Sequence, residues 1–430
     1  VYDQKIWWGD DWSPNTYGID FDFNKSFFEQ FRSLQLRVPR ANLFAKNCEN
    51  AEFTNHTDHI KNCYLCVDTA DSEHIYYSKW IISCKNCVDC YQVEKCEYCY
   101  ECQYSVNTYK SAFCFLCYDS SECMFSYRLK NCKNCMFCTH LRDKQYCIFN
   151  EQLTKEVYEE RLKTLWMSNQ SQVKKLKDIF LQFQNKWIKE DLIVDFSENA
   201  FWDFIYHSKN IFYGFETLES ENLKYCFEDI AMKDSYDAYE SGFECEQQYE
   251  THASNRVKFS SFCSLGYDNS FLHYTELCNN SQNCFGCIGL RKQHHCIFNK
   301  NYSVQEYESL AGKIIEHMVS TGEWGEFFSH TLSPFGYDET VAQEYFPMTQ
   351  EEVIEKWWNW KGDEETSSYH GPYYSPLPIE EYDERKVGYE TAQKNINTLL
   401  AGIVQCEVTK KPFKIIRQEL AFYIENNLPL

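Results

Sequence analysis

The sequence is poor in residues that break or loosen a chain, with 9 Pro and 15 Gly among 430 residues. Set against 32 Tyr, 32 Phe and 11 Trp, that scarcity argues against long disordered linkers and for packed structure nearly throughout. No stretch stays apolar for the roughly 20 residues a membrane-spanning helix needs. The start, Val1-Tyr2-Asp3-Gln4, lacks the charged and apolar regions of a secretory signal. These absences predict a soluble, cytoplasmic chain without a membrane partner, and Val1 in place of Met reads as the start of a fragment. Walker loop, GxGxxG, GxSxG and HExxH motifs are missing too, so the reading leans away from an enzyme. Clustered positive charge is scarce: the net charge is −22, with −12 of it in residues 301–430. Counterion release needs clustered Lys and Arg, so a protein partner is expected before a nucleic acid.

What the chain has in plenty is cysteine, 24 of them. A chain this long buries a real core without disulfides, and with no export signal reduced thiols or metal ligands are favoured over a disulfide framework. From Cys48 to Cys147 one position in three is small or apolar, and the set repeats every twelve residues. One column reads Ala51, Cys63, Ile75, Cys87, Cys99, Ser111, Cys123, Cys135, Cys147; the next reads Thr54, Cys66, Ser78, Cys90, Cys102, Cys114, Ser126, Cys138. Charge is absent from the columns and common between them. A helix would let such columns drift around its axis and a flat strand would alternate their faces. A narrow β-coil turning every few residues puts each third side chain inside, with like residues stacked about 4.8 Å apart. The coil resembles the twelve-residue repeat of beetle antifreeze proteins in architecture; the Thr-x-Thr face that binds ice is missing.

A second copy follows at an offset near 149 residues. Glu49-Asn50-Ala51 matches Glu198-Asn199-Ala200, and both copies end in Cys-Ile-Phe-Asn, at Cys147 to Asn150 and Cys296 to Asn299. Cys63 matches Ile211, Cys66 Gly214, Cys87 Ser235 and Cys90 Ala238. The columns therefore tolerate other small or apolar residues, which favours cysteine as core filling. The fold class expected is mainly β: two tandem β-solenoids of about twelve residues per coil, with helical caps and a small α/β C-terminal piece.

The domains expected are an N-terminal cap with a helix (1–47), the first solenoid (48–150), a helical connector (151–196), the second solenoid (197–300), a helical cap (301–361), a linker (362–384) and a C-terminal piece (385–430). Capping boxes at Ser26 to Glu29, Ser303 to Glu306 and Thr349 to Glu352 start helices. The first of these, with Phe27, Phe28, Phe31 and Leu34, is expected to cover the first stack. In the connector, Val157, Leu162, Leu165, Val173, Leu176, Ile179, Phe180, Phe183 and Trp187 mark the apolar helix positions.

Several constellations invite a chemical reading. The runs Cys84-x-x-Cys87-x-x-Cys90, Cys96-x-x-Cys99-x-x-Cys102 and Cys132-x-x-Cys135-x-x-Cys138 have the spacing of metal knuckles or iron–sulfur ligands, with Cys87, Cys90, Cys99 and Cys102 as the candidate set. Cross-coil disulfides, Cys84 with Cys90 and Cys96 with Cys102, are a third reading beside metal and packing. His294-His295 next to Cys296 reads as a solvated turn, because copy one has Gln145-Tyr146 there. Trp7-Trp8-Gly9-Asp10-Asp11-Trp12 is either an aromatic binding surface or an anchor for the chain end. Asp10, Asp11, Asp363, Glu364 and Glu365 read as solvated acids.

With Trp7-Trp8-Gly9-Asp10-Asp11-Trp12-Ser13-Pro14, the Asn-Cys repeats, the Cys-Ile-Phe-Asn ends and Cys406-Glu407-Val408-Thr409-Lys410-Lys411-Pro412-Phe413-Lys414-Ile415 in view, the sequence resembles a family of zinc-ribbon-flanked, cysteine-repeat proteins from candidate-phyla bacteria. Some of these carry a CaiB/BaiF CoA-transferase label, for which these residues show no chemistry. The resemblance implies zinc ribbons before Val1 and after Leu430, with Cys406 as the remnant of one knuckle; Thr409 stands where its partner cysteine would be. The function expected is a non-catalytic scaffold presenting rigid solenoid surfaces to a macromolecular partner, without a cofactor. The alternatives are a zinc or iron–sulfur or redox protein using the cysteine ladder, an acidic nucleic-acid mimic, and a carbohydrate-active β-helix enzyme with acids along one groove.

Overall fold

In three-residue units with an inward side chain, the chain must turn at every unit, and an L-residue turns that sharply by entering the left-handed region. The computed structural model shows this. It describes residues 1–163, 170–362, 369–407 and 409–430; Leu165, Asp363, Glu364, Glu365 and Val408, named above, lie outside the described residues. The residue before each inward position is left-handed, from Asn47 (φ 51°) through Asn50, Phe53 and His56 to Phe149 (φ 52°), and none of them is glycine. Asn, Asp and His bear this conformation best, which explains the Asn-Cys pairs: Asn62 turns the corner and Cys63 points inward. Corner amides then stack between coils, as in Asn50 to Asn62 (2.8 Å) and Asn199 to Asn210 to Asn222 (2.9 and 2.8 Å).

Each solenoid is a sheet of parallel strands closed by one antiparallel hairpin strand, 14 strands in the first and 11 in the second among the described residues. Register follows the columns: Cys87 pairs with Cys99 and Cys135 with Cys147. The second copy departs from twelve in two places, Ala200 pairing with Ile211 and Met232 with Cys245 across a bulge. The helices are α1 (Gln4–Trp8), α2 (Phe27–Gln35), α3 (Lys155–Lys163), α4 (Gln170–Gln184), α5 (Val304–Thr321), α6 (Ala342–Tyr345), α7 (Gln350–Glu355), α8 (Glu384–Val387), α9 (Tyr389–Ala401) and α10 (Arg417–Asn426).

The chain divides into two compact units, each discontinuous: 1–42 with 190–364, and 43–189 with 365–430. This corrects the expected place of α2. Phe27, Phe31, Leu34 and Val38 are buried against Phe262, Tyr274, Phe285 and Phe298 of the second solenoid, together with Ile314 and Met318 of α5. Local sequence starts the helix at Ser26, but its landing place is set by aromatic surface far along the chain. Its first amides, Phe27 and Phe28, donate to the Glu323 carboxylate at 3.0 and 2.9 Å. The boxes at Ser303 and Thr349 form as read.

In the other unit, α3 and α4 cover one side of the first solenoid, with Tyr158, Val173 and Leu176 against Phe113, Phe125 and Phe137. The C-terminal piece covers the same side. It begins earlier than expected: Ile379 and Tyr382, placed in the linker by the sequence, are buried with Leu399, Leu420, Phe422 and Tyr423 over Tyr76, Val88 and Tyr100.

Candidate functional site

The inward cysteines are the first place to look for chemistry. Cys87, Cys90, Cys99 and Cys102 are buried and form no disulfide. Each thiol of the set has a carbonyl to donate to: Cys87 to Lys85 O (3.3 Å), Cys90 to Val88 O (3.3 Å), Cys99 to Thr108 O (3.7 Å) and Cys102 to Ser111 O (3.4 Å). Inward serines do likewise, Ser72 to Ala70 O at 2.7 Å and Ser126 to Met124 O at 2.9 Å.

The same atoms also accept. Cys84 N donates to Ser72 Oγ (3.0 Å), Cys90 N to Ser78 Oγ (3.1 Å), Cys132 N to Ser120 Oγ (3.1 Å) and Cys96 N to Cys84 Sγ (3.3 Å), each across one coil. Outward and corner amides reach carbonyls of neighbouring coils, such as Val67 N to Ser78 O and Tyr77 N to Tyr64 O. In these pairs the inward amide takes a side-chain acceptor instead. Ser and Cys are thus more than small: they satisfy a buried N–H that Ile or Val in the previous coil cannot. At the last coil the terminal Asn takes over. Asn299 Oδ1 accepts from Ile288 N (2.8 Å) and its Nδ2 donates to Ile288 O (2.8 Å), and Asn150 does the same for Thr139 at 2.9 Å.

Burial pushes the Cys63 thiol up to about 11 and Cys66 to about 12. Cys87 is held well above its ordinary value by the hydrogen bonds of its thiol neighbours, Cys84 first, and Cys90 is raised by burial. In the pair Cys102 and Cys114, Cys114 keeps its proton and donates, so it is raised and Cys102 is lowered. A zinc or iron–sulfur site asks for converging thiolates. These thiols lie along columns, where they meet carbonyl oxygens and one another. Among the described residues no three of His, Cys, Asp and Glu are grouped as metal ligands. Cys406 is apart from the columns, half-buried at the hairpin between Val404–Gln405 and Pro412–Phe413, its sulfur accepting from Thr409 N at 3.4 Å. His294 is exposed and His295 packs edge-on to Tyr307 (5.6 Å).

The Trp-rich motif divides between its two readings. Trp7 is an anchor, fully buried with its indole N–H on Pro39 O (3.1 Å), whereas Trp8 is 42% exposed. Sequence reading missed a larger aromatic surface on the second solenoid. Phe201 with Phe212 (5.4 Å), Trp202 with Tyr213 (5.8 Å) and Tyr213 with Tyr225 (5.3 Å) stack in successive coils. Tyr236 and Tyr249 continue this side, all of them well exposed. The signal was present as aromatic residues at the coil spacing, but the covered side of the first solenoid carries the same pattern.

No family model matches the chain, and no curated protein does. Among solved structures, one described as a "putative acetyltransferase" from Desulfovibrio desulfuricans G20 is 7% identical and aligns over 67% of this chain and 80% of that one, with a TM-score of 0.13. A score that low assigns neither fold nor activity.

Proposed function

We propose that the chain is a non-catalytic binding protein whose second solenoid docks a helical segment of a partner protein along the side running from Trp202 to Tyr249. The observation that carries this reading is a contrast between the copies. Tyr100 is 5% exposed beneath Phe422 and Tyr423 of α10, with ring centroids 6.4 and 6.0 Å away. Its counterpart Tyr249 is 41% exposed. Val88, buried under the same cover, corresponds to exposed Tyr236. The open half also runs directly into a covered half: Tyr249 meets Phe262 edge-on at 5.5 Å, and Phe262 is buried under the packing around α2 and α5. A side that takes apolar helices in one copy, and in half of the other, suits an amphipathic helix presenting aromatic and aliphatic residues as α10 does. The thiol columns, in this reading, hold the rod rigid and take no cofactor. An aromatic docking side favours protein over the acidic nucleic-acid mimic.

The test places a photo-crosslinking residue at Tyr225 and identifies the peptide it captures, then measures the purified partner's affinity. The reading expects a peptide of another protein with an apolar helical face, and at least about a tenfold loss of affinity in Tyr213→Ser/Tyr236→Ser. Capture of a second copy of this chain or of a nucleic acid, or affinity indifferent to both substitutions, would sink it.

A further inference from the structure

The Trp-rich segment and the last coils of the second solenoid enclose a cleft of about 270 Å³. Arg291 builds it. Its guanidinium donates to Gly9 O (3.1 Å) and Trp12 O (3.2 Å) and lies over the rings of Trp7 and Trp12 at 5.6 and 5.0 Å. Its donors serve the chain's own carbonyls, so it shapes the wall. Trp8, Asp10, Asn280 and Lys292 line the cleft and are exposed. Asn279 also lines it but is 3% exposed. Its Nδ2 donates to Leu277 O (3.2 Å), while its Oδ1 is buried without a hydrogen-bond partner among the described residues. A buried amide oxygen left so is rare in folded proteins and points to a donor that binds there.

We infer that this cleft binds a neutral pyranose ring. The Asn279 oxygen and the Asp10 carboxylate both ask for donors, which disfavours an anion. Arg291 and Lys292 disfavour a cation. What remains is a neutral ligand rich in hydroxyl donors that also has an apolar face for Trp8, and a sugar ring combines the two. The volume lies just below the usual range for drug-sized ligands, about 300–1,000 Å³, so it suits one ring and is small for a nucleotide. Of the lining residues only Asp10 is a carboxylate, where glycosidic hydrolysis uses a pair, so the chemistry is binding.

The test is saturation-transfer NMR on the full chain with methyl glucoside, galactoside, mannoside and N-acetylglucosaminide at up to about 50 mM, since single-ring ligands bind weakly. At least one is expected to receive saturation at its ring C–H protons. Trp8→Ala should abolish it, and Asn279→Leu and Asn280→Ala should each weaken binding by about tenfold or more. Trp8 and Asn280 are exposed, so their variants carry the test if Asn279→Leu fails to fold. A chain end of a glycan is indicated if an oligosaccharide of the same sugar binds more tightly, and a free monosaccharide if it does not. No transfer from any of the four, transfer that survives Trp8→Ala, or tighter binding of inorganic phosphate or tetramethylammonium would overturn the inference.

Discussion

The Cys84 amide donates to the Ser72 hydroxyl at 3.0 Å, one coil away, and the Cys96 amide repeats the contact on the Cys84 sulfur at 3.3 Å. A column of such contacts explains why the inward residues are Ser and Cys so often, and it separates hydrogen bonding from filling. Cys84→Ser should cost under about 1 kcal/mol, because the acceptor survives. Cys84→Val fills the space but leaves the Cys96 N–H unpaired and should cost about 1–3 kcal/mol, as should Ser72→Ala. Urea midpoints decide: Val tolerated as well as Ser would mean the column is filling alone.

The buried thiols should be slow to react. Maleimide labelling of the native protein is expected to reach Cys48 and Cys406, the two cysteines that are not fully buried, and the rest only after denaturation. Chelators should leave the melting temperature unchanged. Stoichiometric zinc or iron, lost together with the first solenoid's structure on chelation, would return the columns to the metal reading.

At the end of the second stack, Asn299 has its side chain inside the structure, donating also to Pro14 O at 3.1 Å. Asn299→Ala should cost about 1–3 kcal/mol by unpairing both backbone groups of Ile288. The faster hydrogen exchange should be concentrated at the Ile288 amide; uniform acceleration across the solenoid would point to global destabilisation instead.

Glu419 of α10 is buried against the first solenoid and accepts a hydrogen bond from the Tyr77 hydroxyl. Burial pushes its carboxyl up to about 7, the Tyr77 hydrogen bond offsetting part of that. A carboxyl raised in the folded state is neutral there at a pH where the unfolded chain has already released its proton. Its favourable share is full below the usual value near 4.3, declines up to about pH 7 and is lost above. Stability of the cover should fall across that window by no more than about 4 kcal/mol. Glu419→Gln should flatten the curve, as read by pH-dependent unfolding followed at the tyrosines of the C-terminal piece.

Asp229 sits inside the second solenoid with one carboxylate oxygen accepting from Ser241 N (3.0 Å) and the other unpaired among the described residues, as is the Thr217 hydroxyl one coil away. Burial holds its carboxyl well above the usual range. Asp229→Asn should therefore raise the melting temperature near pH 7 and lose most of that advantage by about pH 3, where both states of the wild type are mostly protonated. An unchanged or lower value at pH 7 would show that the charge is compensated.

The inward columns were legible in the sequence because one narrow space dictates residue size at every third position. The corners were not. A positive φ at Asn50 has a compositional sign, but Phe53, Tyr77 and Lys95 take the same conformation without one. Capping boxes at Ser303 and Thr349 were legible because they are local. The destination of α2 was not, since Phe27 and Phe31 are equally apolar against either solenoid. Cys87, Cys90, Cys99 and Cys102 lie in the interior, and knuckle spacing by itself does not separate a packed thiol from a ligand. Trp8 and Asn279 share the lining of one cleft although 271 positions separate them, and nothing local links them.

The crossed assignment of the ends bears on how the chain is made. The first solenoid leaves the ribosome long before residues 369–430 exist, so Tyr76, Val88 and Tyr100 are left bare during synthesis until the final helix emerges. Residues 1–42 are made before the coils that follow residue 190 and wait for them. Neither unit is completed by a vectorial, front-to-back order, and cutting the gene between 189 and 190 would give two products that each lack their own cover and carry the other's. Expression as halves should yield aggregating pieces that become soluble when co-expressed.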